Sequence, residues 1–167
     1  AWSLKGMGDA LEISTFVKNI VGRNTSASVI LPAILFVVAV FLSFSTGTSW
    51  GTFAILVPIA IAMFPGSENV QMMIIAVSAV LAGAVCGDHI SPISDTTVMS
   101  SAGAQSNHIN HVTTQMQYAA VVAVVSFIGY IIAGFIHIWW VVLGISLVLL
   151  LIILNVLRRI SNGKEQC

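Results

Sequence analysis

The stretch Gly87-Asp88-His89-Ile90-Ser91-Pro92-Ile93-Ser94-Asp95-Thr96-Thr97 decides how this chain can fold. It follows an apolar run from about Val70 to Cys86 and precedes a short one from Val98 to Ala104. Pro92 removes a backbone donor and disrupts helical hydrogen bonding, so the stretch predicts a break between two helices. Two carboxylates, Asp88 and Asp95, flank that proline. An ionised carboxylate at the centre of a membrane helix costs about 2.5–3.5 kcal/mol on insertion scales. Two of them within eight residues require a cation, a proton or a water-filled cavity.

The rest of the chain shows which medium surrounds this break. The 167 residues are 57% hydrophobic and 7% charged, with a mean hydropathy of +1.01. Soluble domains carry about 25% charged residues. All six basic residues lie at the ends: Lys5, Lys18 and Arg23, then Arg158, Arg159 and Lys164. Residues 24–157 contain no Lys or Arg, and their acids are Glu68, Asp88 and Asp95. This pattern defines an integral membrane protein, with its middle in the bilayer and its ends in contact with water. It excludes a disordered chain, which needs high charge and low hydrophobicity. Six basic residues balanced by six acidic ones leave no electrostatic footprint for nucleic acid. Two cysteines, Cys86 and the terminal Cys167, exclude a disulfide scaffold.

A second break lies upstream, at Ser45-Thr46-Gly47-Thr48-Ser49-Trp50-Gly51-Thr52. Apolar segments flank it, Val29 to Phe44 and Phe53 to Phe64, and the turn cluster Pro65-Gly66-Ser67-Glu68-Asn69 follows. Beyond the loop Gln105 to Asn110, long apolar segments run from Val112 to Ile136 and from Ile138 to Leu157. A membrane-crossing helix needs about 20 residues. The last two segments qualify, whereas 53–64 is too short for an untilted span. The pieces around the first break predict a re-entrant helical hairpin or two short tilted spans. The expected fold is all-α: a polytopic membrane helical bundle with broken helices. Residues 1–24 read as an interfacial or loop segment, 25–160 as the transmembrane domain and 161–167 as a tail. Arg158, Arg159 and Lys164 place the C-terminus in the cytoplasm by the positive-inside rule. The chain opens at Ala1 without a signal-peptide pattern and reads as the C-terminal piece of a longer polytopic protein.

Non-helical backbone at membrane depth is tolerated only inside protein or beside a water-filled cavity. Secondary transporters place such breaks at their ion sites, where freed carbonyls and helix ends complete the coordination. The first break offers the hydroxyls of Ser45, Thr46, Thr48, Ser49 and Thr52, with Gly47 and Gly51 to let the backbone turn. Ser, Thr and Gly also serve helix packing, but five hydroxyls in eight residues favour a site. The second break offers Asp88, Asp95, Ser91, Ser94, Thr96 and Thr97, with Gly87 and Pro92 as backbone breakers. Na⁺ is a hard cation suited to this all-oxygen set. A desolvated carboxylate favours its protonated form and a bound cation favours the ionised one, which is a sufficient basis for exchange at one site. The expected Na⁺ ligands are Asp88, Asp95, Thr48 and Ser94. Asp95 has a plainer alternative as a helix N-cap. His89 reads equally as a proton relay or as a group holding a carbonyl. His108 and His111 suit a loop or interface role better than a metal site, and His137 with Trp139 and Trp140 suits an interfacial anchor. Ala79, Gly83 and Gly87 form a small face for close helix approach, and Gly129 with Ala133 another. The run Val141 to Leu154 faces lipid or a second subunit, as in a homodimer.

Both breaks, Phe44 to Phe53 and Gly87 to Thr97, together with His111-Val112-Thr113-Thr114-Gln115-Met116-Gln117-Tyr118, resemble signatures of the NhaC-type Na⁺/H⁺ antiporter family. The three motifs stand in the family's order, within a resemblance covering about residues 29–135. Gln117 departs from it, standing where a proline is expected. The resemblance implies an inner-membrane antiporter exchanging Na⁺ for protons, with no cofactor beyond those transported ions. It also implies an inverted-repeat fold, of which this chain holds the second repeat and the missing N-terminal half is the partner. Some relatives exchange organic acids such as malate and lactate, or amino acids. An intramembrane aspartyl protease of the Gly-x-Gly-Asp type is disfavoured, because Val85-Cys86-Gly87 precedes Asp88. A rhomboid-like serine protease lacks its Gly-x-Ser-Gly motif, and a channel subunit is the remaining alternative.

Overall fold

The computed structural model describes residues 25–64, 70–136 and 138–164, together with Gly6, Met7, Ala10 and Glu12. From Thr25 onward the described residues form six helices, in order α1 (Thr25–Thr46), α2 (Ser49–Met63), α3 (Val70–Ile90), α4 (Asp95–Gly103), α5 (His108–Phe135) and α6 (Trp139–Lys164). Among the described residues there is no strand. Four helices are long and apolar enough to cross a membrane: α1, α3, α5 and α6, while α2 is a shorter apolar helix. The expected interfacial segment 1–24, the turn at Glu68 and the anchor His137 lie, almost wholly, outside the described residues.

The chain reverses at Gly47-Thr48. Leu31, Leu35 and Ala39 of α1 share one buried cluster with Leu56, Ala60 and Met63 of α2, with Phe64 just beyond it, and with Ala76, Val80 and Ala84 of α3. Continued as one helix, Leu31 and Phe64 would stand about 50 Å apart, at 1.5 Å per residue. The α3 members of the cluster extend over only about 12 Å. The two arms therefore fold back along α3, which makes the first break a helical hairpin.

The direction of α3 follows from its small residues. A Cβ built on Gly83 would run into the carbonyl of Phe36, and one on Gly87 into that of Val40. The contact positions rise together, so α1 and α3 run parallel, and their C-termini reach the same end of the bundle. Ala79, Gly83 and Gly87 are all buried. They form the expected small face, and side chains there would force the backbones apart. On α5, Gly134 lies against the carbonyl of Val29, and the Tyr130 ring stands 5.4 Å from that of Phe36. Those pairs run in opposite senses, so α5 is antiparallel to α1. The hydroxyl of Tyr130 donates to the carbonyl of Ser78 at 3.1 Å and ties α5 to α3. Gly129 faces Ser146 of α6. The hydrophobic window of α6, Trp139–Arg159, has no buried residue in this chain.

The structure narrows both breaks, which is a correction. The first is Gly47 and Thr48 alone, and the second is Ser91 to Ser94. Ser45 and Thr46 are helical, Gly51 lies in the first turn of α2, and Gly87 is a packing position inside α3 rather than a break. α3 runs on to Ile90, two residues short of Pro92, which has no amide to continue the ladder. Gly47 has φ +65°, a left-handed conformation that suits glycine at a helix C-terminus.

Candidate functional site

The two breaks meet. A Cβ on Gly47 would lie 2.8 Å from the carbonyl oxygen of Ile93, so the hairpin tip packs on the backbone of the second break. Two helix C-termini, of α1 and α3, and two N-termini, of α2 and α4, thus converge at one end of the bundle.

Asp88 lies at this convergence, in the last turn of α3, and is 7% exposed. Each of its carboxylate oxygens accepts one hydroxyl. Ser49, the first residue of α2, donates to Oδ2 at 3.1 Å. Ser94, the N-cap of α4, donates to Oδ1 at 2.7 Å. The hydroxyl of Thr96 lies 2.8 Å from that of Ser94; with Ser94's hydrogen directed at Asp88, Thr96 donates. Helix N-termini carry positive dipole ends, which favour a carboxylate anion. Hydrogen bonds to charged groups are worth about 1.5–3 kcal/mol each. Two of them are of the same order as the insertion cost of the carboxylate and hold it without a basic partner.

The remaining hydroxyls have other duties. Ser91 is fully buried and donates to the carbonyl of Phe44 at 2.8 Å, bracing one break against the end of α1. Thr97, also buried, reaches the carbonyls of Asp88 and His89 at 3.5 Å and closes the end of α3. Thr48 caps α2 by accepting from the Gly51 amide at 3.4 Å. Ser45 and Thr46 donate to carbonyls of their own helix, those of Phe41 at 2.8 Å and Leu42 at 2.9 Å. Neither hydroxyl is directed at Asp88. Asp95 is the first residue of α4 and is exposed. The structure brings Ser49, Ser94 and, through it, Thr96 to Asp88, but does not bring Asp95 there. His89 is exposed and donates through Nδ1 to the Val85 carbonyl at 2.9 Å. That bond lies within α3, four residues back, and does not reach across the break.

Sequence reasoning missed two residues. Ser43 is fully buried and donates to the carbonyl of Ala84 at 2.6 Å, locking α1 to α3 one turn from Asp88. Its signal was a lone hydroxyl within an apolar run, four residues before Gly47. Ser101 is 2% exposed and joins α4 to α5 through His108. No group of three or more His, Cys, Asp or Glu side chains able to hold a metal ion occurs among the described residues.

An all-helical bundle whose broken helices converge on a buried carboxylate is an arrangement that secondary transporters use at their ion sites. The sequence pattern of the Na⁺/H⁺ antiporter family matches residues 1–135, and the chain belongs to that family. It is similar to an uncharacterised protein of Haemophilus influenzae, 49% identical over 135 residues, covering 81% of this chain and 26% of that protein. It is also similar to the malate-2H⁺/Na⁺-lactate antiporter of Bacillus subtilis, 32% identical over 111 residues, covering 66% of this chain and 23% of that protein. The chain thus spans about a quarter of the length of the curated relatives it matches. No solved structure matches it.

Proposed function

We propose that this chain carries the ion-exchange site of a secondary antiporter that moves Na⁺ against H⁺ across the inner membrane. The observation that carries the reading is the buried Asp88 carboxylate, held by hydroxyls from both breaks, with no Lys or Arg anywhere in residues 24–157. A carboxylate without a fixed counter-ion takes either a proton or a cation. A serine hydroxyl both donates and accepts. Turned away from Asp88, Ser49 and Ser94 present lone pairs to Na⁺ beside the carboxylate; turned toward it, they hold the carboxylate in place. The carbonyl-bearing ends of α1 and α3 supply further oxygen ligands of the kind that broken helices offer. Asp95, exposed beside the buried Ser94, serves in this reading as a second carboxylate that attracts the cation at the approach to Asp88. The family match supports a transporter rather than an enzyme as the reading of the complete protein.

The test is Na⁺-dependent collapse of a respiratory pH gradient in everted membrane vesicles containing the complete transporter. Collapse on adding Na⁺ alone, lost in an inserted Asp88→Asn variant, is the expected result. Because proton and cation compete for one group, lowering the pH raises the KM for Na⁺. A second reading has a specific observation behind it: the Bacillus subtilis relative is a malate-2H⁺/Na⁺-lactate antiporter. The N-termini of α2 and α4 supply the positive dipole ends that an organic carboxylate would use in the absence of a basic side chain. A gradient that responds to Na⁺ only once malate or lactate is supplied would establish that reading and overturn simple Na⁺/H⁺ exchange.

A further inference from the structure

We propose that His108 is a positioning residue that braces the second break and thereby sets the Ser94 hydroxyl on Asp88. This rests on the reading of Asp88 as the exchange site. The argument starts from the backbone of residues 91–94, which has left the helical ladder. The Ser91 amide donates to the Asp88 carbonyl at 3.2 Å, the Ile93 amide to the Ser91 hydroxyl at 3.4 Å and the Ser94 amide to the Ser91 carbonyl at 3.4 Å. These are long bonds within the loop itself. Two short bonds tie the loop to its surroundings: Ser91 to the Phe44 carbonyl at 2.8 Å, and one from α5. His108, the first residue of α5, donates from Nε2 to the Pro92 carbonyl at 2.7 Å.

The other ring nitrogen fixes a third element. Nδ1 lies 3.1 Å from the hydroxyl of Ser101, which also reaches the Thr97 carbonyl at 2.8 Å. One imidazole therefore joins the loop, α4 and the start of α5. Only Ile93 stands between Pro92 and Ser94, whose 2.7 Å bond is the shorter of the two on Asp88. A carbonyl only accepts, so Nε2 carries a hydrogen. The single hydrogen of Ser101 goes either to Nδ1 or to Thr97. In the first case the ring is neutral, and in the second Nδ1 donates as well. The bond to Pro92 persists in both cases, so the brace is a fixed part of the site.

The test uses the complete transporter with His108→Ala, His108→Gln and His108→Asn. Gln places its amide donor near the position of Nε2, whereas Asn places it near that of Nδ1. The first readout is hydrogen exchange at the amides of Ser91, Ser94 and Val98, which needs no transport. A net hydrogen bond is worth about 0.5–1.5 kcal/mol, so His108→Ala speeds exchange there by about two- to tenfold. Gln restores protection and Asn does not. The second readout is the KM for Na⁺, expected to rise by the same factor as the competent arrangement becomes less populated, while kcat holds. Unchanged amide exchange in His108→Ala overturns the brace. So does Gln behaving as badly as Ala, with exchange raised throughout the bundle, since that marks general damage. A wild type that ignores Na⁺ overturns the exchange reading instead, and the amide readout then decides the brace alone.

Discussion

The two breaks are both rich in hydroxyls, yet they spend them differently. At the first, Ser45 and Thr46 sit in the last turn of α1, where carbonyls four residues behind are within reach, and both donate to them. Such back-bonding is the usual course of Ser and Thr inside a helix. Ser49 begins α2 and Ser94 caps α4, so neither has a helical turn behind it. Each turns outward to Asp88 instead. Standing at the start of a helix, just after a break, rather than at the end of one, just before it, separates a hydroxyl available to a ligand from one already satisfied.

The sharpest way to break this comparison is at the carboxylate itself. Asp88→Asn should abolish Na⁺-dependent exchange in vesicles while the protein still inserts. Asp95→Asn should raise the KM for Na⁺ and leave kcat close to wild type, because its side chain is exposed rather than held by the two serines. Equal, complete loss in both would show that the rest of the protein brings Asp95 into the same site.

The serines come next. Ser94→Ala removes a bond to a charged group worth about 1.5–3 kcal/mol, so Na⁺ affinity should fall by about ten- to a hundredfold in an equilibrium binding measurement. Ser49→Ala, whose bond is longer at 3.1 Å, should fall toward the lower end of that range. Ser45→Ala and Thr46→Ala should leave affinity within about twofold, since loss of a neutral bond within one helix does not reach the site. A large effect at Ser45 would sink the distinction between the two sides of a break.

The packing positions test stability rather than chemistry. Gly87→Ala drives a methyl into the Val40 carbonyl and should destabilise the bundle by about 1–3 kcal/mol, read as a lower thermal midpoint in detergent. Gly47→Ala places a side chain at φ +65° against Ile93 and costs about 1–2 kcal/mol from conformation alone. Its effect on Na⁺ affinity should exceed that of Gly87→Ala, because it parts the two breaks directly. The smallest change is expected for Ser78→Ala. The side chain there donates to its own helix at Ile75, and the bond from Tyr130 to the Ser78 carbonyl survives the change, so the thermal midpoint should hold.

Much of this was legible in the residues. The charge-free middle, the apolar lengths and the two polar interruptions defined a helical membrane protein with breaks, because burial of charge and of unpaired backbone is costly in lipid. Asp88 stood out for the same reason. The helix limits were less legible. Gly51 and Gly87 read as breakers because isolated glycine weakens a helix, but tertiary packing overrides that preference where only a hydrogen atom fits, as it does between Gly87 and Val40.

Sequence by itself determined the medium, the presence of two breaks between apolar helices and the residue types at the site, since these follow from transfer energies and from what proline and glycine do to a backbone. Only the tertiary structure decided which hydroxyls reach Asp88, that the first break is a hairpin, and that His108 lies across the second. Those facts depend on which helix ends converge, and convergence is set by the close approach of α1 to the Ala79, Gly83 and Gly87 face of α3, an encounter between segments some 40 residues apart in sequence.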